Sequence, residues 1–238
     1  MSVDYATKRR SLQRFTMPRF RDTRLYDFGA VLPLILWYGL GMVQLGPALA
    51  AQLGALAYGF AWVTALDAAA KATTLVFLGL QIVLFAVRRL PEARQEGIVP
   101  RLAALVGANL LLLVALLPDA HLGAGLSAVA LLLVVVGTLG GIVALRHLGC
   151  SFSIFPQARR LVTSGPYRTV RHPLYFFDMI ATIGTALQFA QPWAMLIALA
   201  SIAAQFPRMH YEEEILRASY PDYAAYEART KRLIPGIY

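Results

Sequence analysis

The chain has 238 residues, of which 58% are hydrophobic and only 15% charged, and its mean hydropathy is +0.58. A soluble domain of this length carries about a quarter of its residues as charges, so composition excludes a sizeable soluble module and indicates an integral membrane protein built as one helical bundle. The net charge of +9 invites a nucleic-acid reading. The basic residues, however, fall in the gaps between apolar runs, where membrane topology puts them, so lipid surface rather than nucleic acid is the expected contact. A single cysteine, Cys150, and four histidines with no His-x-x-x-His spacing exclude an intrachain disulfide and leave no metal centre to expect.

Residues 1–24 form a basic tail in which Lys8, Arg9, Arg10, Arg14, Arg19, Arg21 and Arg24 outnumber Asp4 and Asp22. Residues 25–125 then supply the N-terminal membrane helices. The apolar run from Leu25 to Leu45 exceeds the roughly 7–15 residues of a signal-peptide core and reads as a retained first membrane helix. Residues 46–70, interrupted by Gly54 and Gly59, read as an interfacial or re-entrant helix. Spans over Ala72–Val87, Leu102–Leu117 and Leu126–Leu145 follow, and then a short helical hairpin, Leu174–Gln188 and Trp193–Phe206, turning at Gln191-Pro192. The fold class expected is therefore all-α with about six crossings. With both termini inside, this arrangement puts 21 of the 22 lysines and arginines on the cytoplasmic face. Beyond the hairpin, residues 207–238 are polar. Pairs Arg208/Glu212 and Glu213/Arg217 at i,i+4 favour a short cytoplasmic helix, and Tyr223–Arg232 can form a second before Pro235-Gly236.

The interval from Gln157 to Tyr175 stands apart. Gly165-Pro166 forces a turn, and Pro173 suits the first turn of a helix, where a missing N–H costs nothing. Arg171 and His172 then lie at a helix N-terminus, which favours an anion, and arginine adds a bidentate clamp for a carboxylate. Equally, the segment reads as an ordinary cytoplasmic loop with positive-inside arginines and interfacial tyrosines. Glu212-Glu213-Glu214 reads either as a solvated helix face paired with Arg208 and Arg217, or as carboxylates that meet the arginines of residues 157–175 or the cationic part of a ligand. His147, Cys150 and His121 receive no role; His210 lies close enough to the glutamates to reach a substrate.

Taken together, Leu161-Val-Thr-Ser-Gly-Pro-Tyr-Arg-Thr-Val-Arg-His-Pro-Leu-Tyr175, a hairpin, Glu212-Glu-Glu-x-Leu and Tyr223-x-x-Tyr226 before Ile234-Pro-Gly resemble the isoprenylcysteine carboxyl methyltransferase and phospholipid methyltransferase membrane family. The resemblance covers residues 126–238, a methyltransferase-like core, and the first half gives no comparable match. It implies S-adenosylmethionine as cofactor. Leu161 and Val162 would contact the adenine through their backbone, while Gly165, Tyr167, Arg171, His172 and Tyr175 would wrap the cofactor, with Arg171 or His172 on its carboxylate. Gln157 and Glu212 join this cofactor set. Arg171, Glu212 and Glu213 would be the catalytic residues, and no metal takes part.

Methyl transfer from a sulfonium is an in-line displacement that demands alignment and exclusion of water rather than a protein nucleophile. The expected function is an S-adenosylmethionine-dependent membrane methyltransferase acting on a lipophilic acceptor, foremost an isoprenylcysteine-type carboxylate. A phospholipid amine or a small thiol is the alternative acceptor, and such an acceptor would need Glu212, Glu213 or His210 to take its proton. Two other classes compete: an NADPH-dependent sterol-type reductase and a non-enzymatic lipid-binding scaffold. Partners expected are the lipophilic substrate and membrane lipids, with no obligate protein partner evident.

Overall fold

In the computed structural model, residues 23–95 and 97–238 are described; the basic tail falls almost wholly outside them. Among the described residues, six helices run back and forth. These are α1 (Arg24–Tyr58), α2 (Trp62–Val87), α3 (Ile98–Asn109, continued as a 3-10 turn over Leu110–Leu116), α4 (Ala124–Leu148), α5 (Pro173–Leu187) and α6 (Trp193–Ser219). A short α7 (Tyr223–Arg229) closes the chain. Four helices are long and apolar enough to cross a bilayer: α1, α2, α3 with its 3-10 extension, and α4 with the turn after it. The protein is an all-α integral membrane protein, as its composition requires.

Two boundaries differ from the sequence expectation. Residues 46–70 form no separate interfacial helix. α1 runs on to Tyr58 through Pro33 and Pro47, and α2 begins at Trp62, so the break is only Gly59-Phe60-Ala61. Thr23 caps the start, its hydroxyl accepting from the Tyr26 N–H at 3.2 Å. Helix α1 is then 35 residues long, about 50 Å at 1.5 Å per residue, and overshoots a hydrocarbon core of about 30 Å. Gly54, taken as an interruption, costs a helix only about 1 kcal/mol and does not end one. Second, the hairpin's returning helix does not stop at Phe206. α6 passes through Pro207 and carries Glu212–Glu214 on the same rod.

Small residues set the tightest contact. A Cβ on Gly137 of α4 would lie 2.5 Å from Ala181 N and 2.6 Å from Phe177 O of α5, and one on Gly184 of α5 would lie 2.6 Å from Ala130 O. These are backbone atoms that cannot rotate aside, so the helices approach this closely only because both positions lack side chains. The α2–α4 seam adds a Thr138-to-Thr73 hydroxyl bond of 2.7 Å. Outside the seams, Leu36, Leu40, Val76, Leu132 and Leu199 are exposed, as lipid-facing residues should be.

At one end of the bundle, where α1 begins and α2 and α4 end, the loops are stitched together. A two-residue strand β1 (Ala93–Arg94) pairs antiparallel with β2 (Gln157–Ala158), flanked by Glu92 N–H to Ala158 O at 2.7 Å and Gln95 N–H to Pro156 O at 3.1 Å. The tail returns to the same end, with Arg171 N–H donating to Lys231 O at 2.8 Å and His172 N–H to Arg232 O at 3.0 Å. Replacing Gly137 by alanine should cost about 1–3 kcal/mol of stability through overpacking, whereas Gly125→Ala, which meets nothing within 4 Å, should be neutral or slightly stabilising. Thermal unfolding in detergent measures the difference.

Candidate active site

Between β2, the loop after it and the polar end of α6 lies a cavity with about 840 Å³ of empty space, counting its open mouth. Its walls come from the 148–162 segment (Phe152, Phe155, Gln157, Arg159, Leu161, Val162), from Tyr167 and the Arg171–Tyr175 turn, from Arg208, Glu212 and Leu216 of α6, and from Tyr223 and Tyr226 of α7.

Local chemistry explains the loop. Gly165 adopts φ +60, and a Cβ there would sit 2.1 Å from the His147 ring. The glycine is thus required by the turn and by close packing on α4, and Gly165 is not among the residues lining the cavity. His172 caps α5 with Pro173 in its first turn. Tyr226 donates its hydroxyl to Tyr167 O at 2.7 Å, holding the 3-10 turn Gly165–Arg168 against α7.

The two adjacent glutamates point different ways. Glu212 faces the cavity, where the Tyr175 hydroxyl donates to it and the His172 Nδ1 lies 4.0 Å away. Burial raises its carboxyl above the ordinary range, partly opposed by the nearby Arg208 and His172. Glu213 lies behind the wall, 3% exposed, and binds Arg171 Nε at 2.9 Å, His172 Nε2 at 3.0 Å, Arg232 Nε at 3.3 Å and Arg217 Nη2 at 3.4 Å. Burial alone would raise its pKa, but the bonds from His172 and Arg171 outweigh that and bring it down to about 2. Arg171 is similarly engaged. Besides Glu213, its Nη1 donates to Glu227 O at 3.1 Å and Thr230 O at 2.6 Å, and its Nη2 lies 3.5 Å from the Glu227 carboxylate. Its donors therefore anchor the C-terminal segment rather than standing open as a carboxylate clamp.

Of the residues anticipated from sequence, Gln157, Leu161, Val162, Tyr167, Arg171, His172, Tyr175 and Glu212 all line this one cavity. Gly165 and Glu213 support it from behind. Sequence reasoning missed Arg208, whose guanidinium lies 4.8 Å over the Tyr175 ring and donates to Gln205 Oε1 at 2.8 Å, while Gln205 donates to Asp178 at 2.7 Å. The i,i+4 spacing to Glu212 suggested a surface pair, and no feature of the sequence told it from a buried cation. Gly107 of α3 gives it room, since a Cβ there would meet Arg208 Cδ at 2.5 Å. Arg159 and the motif tyrosines Tyr223 and Tyr226, none of which was given a site role from sequence, also line the cavity. His210 is exposed and meets the Tyr211 ring edge-on, off the cavity wall.

A sequence model of the phospholipid methyltransferase family matches residues 121–223. Over these residues the chain is similar to that family. The methyltransferase-family segment takes in α4, the cavity loop, α5 and α6, so the motif resemblance and the family match fall on the same walls. Two curated relatives are similar over about half of the chain. The cobalt-zinc-cadmium resistance protein CzcN of Cupriavidus metallidurans is 29% identical over 109 residues, 44% of this chain and 50% of that one. The nickel-cobalt-cadmium resistance protein NccN of Alcaligenes xylosoxydans xylosoxydans is 30% identical over 122 residues, 50% of this chain and 54% of that one. The chain thus spans about half the length of the curated relatives it matches.

The Glu213 cluster has a pH signature. Its folded-state pKa lies below the unfolded 4.5, so the stability it contributes is present above pH 4.5 and is lost as pH falls toward about 2. A shift of this size corresponds to about 3 kcal/mol. Wild-type protein should lose that margin between pH 4.5 and 2 relative to a Glu213→Gln variant, whose own stability changes less across the window; thermal melts at stepped pH give the comparison.

Proposed function

We propose that this protein is an integral membrane methyltransferase that binds S-adenosylmethionine in the loop–α6–α7 cavity and methylates a lipophilic acceptor. The single observation that supports it best is the composition of that one cavity within the methyltransferase-family segment. Its wall holds one carboxylate, Glu212, beside the tyrosines Tyr167, Tyr175, Tyr223 and Tyr226 and four arginines, Arg159, Arg160, Arg171 and Arg208.

Such a set suits a ligand that is cationic at sulfur and zwitterionic at its amino-acid end: aromatic faces and a carboxylate attract the cation, and guanidinium groups take the carboxylate. S-adenosylmethionine, when bound, supplies a methyl group on a sulfonium, and transfer breaks the S–CH3 bond with both electrons remaining on sulfur. Leu161 and Val162 offer backbone to the adenine. Tyr175 and His172 orient Glu212, and Glu213 fixes His172 and Arg171, so the wall is rigid before the ligand arrives. Both chain ends and the cavity face the cytoplasm in this reading, which follows the arginine distribution, and an amphipathic acceptor enters from the bilayer between helices.

For the acceptor, an isoprenylcysteine-type carboxylate is the first choice. It needs no base, and the Nε of Arg208, buried without a hydrogen-bond partner, is available to orient it. A phospholipid amine is the second reading, favoured by the elevated Glu212 carboxyl, which is a better proton acceptor than an ordinary carboxylate.

Purified full-length protein incubated with methyl-labelled S-adenosylmethionine and either a prenylated cysteine analogue or phosphatidylethanolamine tests this directly. Label released by mild base marks an ester; base-stable label marks an N-methyl group. Glu212→Gln should lower amine methylation by about 10²-fold or more while leaving base-free ester formation less affected, and Arg208→Lys should do the reverse. No transfer to either acceptor, together with thermal stabilisation by NADPH but not by S-adenosylhomocysteine, would overturn the reading in favour of a reductase.

A further inference from the structure

Asp27, in the first turn of α1, is buried and meets three guanidinium groups: Arg88 Nε at 2.7 Å, Arg159 Nη2 at 2.9 Å and Arg94 Nη2 at 3.4 Å. One carboxylate among three arginines leaves the cluster with surplus positive charge in a place with little water. Burial and the neighbouring Arg159 draw Arg88 down to about 10, a sign that this charge is not fully compensated.

Arg159 is the member that reaches the cavity wall. It is 2% exposed, and β2 and its clip to β1 hold its backbone in place. Its Nη2 is spent on Asp27 and on Gln157 Oε1, the latter at 2.6 Å. Its Nε and Nη1 are buried with no acceptor. Ser151, Ser153 and Gln157 line the same part of the chain and the same cavity, and Ser153 donates to Gln157 Oε1 at 3.1 Å, which steadies the amide beside Arg159. A buried guanidinium with open N–H groups and excess local positive charge is an incomplete arrangement that an anion completes. Arg171, the arginine anticipated for that task, is occupied by Glu213, Glu227 and Thr230.

We propose that Arg159, braced by Asp27 and Gln157, is the residue that reads the anionic group of the ligand filling this cavity, a carboxylate or a phosphate. Two sources can present such a group: the amino-acid end of the methyl donor, and an acidic lipid headgroup entering as or with the acceptor. The donor source rests on the methyltransferase reading; the anion site itself does not.

The test uses full-length protein in detergent as wild type, Arg159→Gln and Arg159→Lys. The lysine variant keeps a positive charge for Asp27 and guards against simple misfolding. Inorganic phosphate, compared with chloride at matched ionic strength, should raise the melting temperature of wild type saturably, and Arg159→Gln should lose that response. Calorimetry should show S-adenosylhomocysteine binding about 10- to 100-fold weaker in Arg159→Gln, with Arg159→Lys intermediate. If 5′-methylthioadenosine, which lacks the carboxylate, binds wild type and Arg159→Gln alike, the donor is the source. If S-adenosylhomocysteine binds all three forms equally but the phosphate response and binding to phosphatidylglycerol vesicles fall in Arg159→Gln, the lipid is the source. Wild type that binds no S-adenosylhomocysteine but keeps an Arg159-dependent phosphate response would end the methyltransferase reading and leave the anion site standing. Identical responses of wild type and Arg159→Gln to phosphate, S-adenosylhomocysteine and vesicles, with only a lower melting temperature in the variant, would make Arg159 a strut for Asp27 and overturn the proposal.

Discussion

The Glu213 carboxylate is where the site is held together. It accepts from Arg171 and His172 of the loop, from Arg217 of its own helix, and lies against Arg232 of the tail, so three segments separated in sequence converge on one buried anion. A single buried carboxylate would be costly, and four cationic or cation-capable partners make it tolerable. Because Glu213 fixes His172 and Arg171 from behind, Tyr175, three residues after His172 at the start of α5, and Glu212, next to Glu213 on α6, present a defined wall to the cavity. The carboxylate that does the structural work and the one available for chemistry are neighbours in sequence, and α6 turns them to different sides.

Asp27 performs a similar task for the other wall, tying α1 to the ends of α2, β1 and β2 through three arginines. The difference between the two hubs is their balance. Around Glu213, Glu227 supplies a second carboxylate that engages Arg217 at 2.6 Å and approaches Arg171 at 3.5 Å. Around Asp27 no second carboxylate is present among the described residues within salt-bridge distance, so positive charge is left over on the side that faces the cavity. The membrane-embedded bundle contributes little polarity of its own here. Its glycine seam brings α4 and α5 together and sets where the loop between them emerges, and the polar hubs do the rest.

Much of this was legible in the chain. Apolar run lengths marked the membrane helices, and Gly165-Pro166 and Pro173 marked the turn and the start of α5, because hydropathy and local backbone chemistry decide them. Residues 46–70 misled because glycine weakens a helix without ending it, and because a crossing there would have moved the basic residues of 88–101 off the cytoplasmic face. Arg159 and Arg208 were hidden for another reason. In a membrane protein, positive-inside topology already accounts for arginines in that loop and past the last apolar run, so their burial could not be told from sequence. Asp27, 132 residues from Arg159, is a partner only the fold reveals. The division of labour between Glu212 and Glu213 likewise depends on how α6 is rotated, which the pair of letters does not record.

The central claim is that the loop, α6 and α7 form one ligand-binding unit. Hydrogen–deuterium exchange of the full chain in detergent, with and without S-adenosylhomocysteine, tests it most directly. Added ligand should slow exchange together across 150–175, 208–217 and 223–232, while the opposite end of the bundle, around 52–74, stays unchanged. Protection absent from all three segments, or confined to the opposite end, would contradict it.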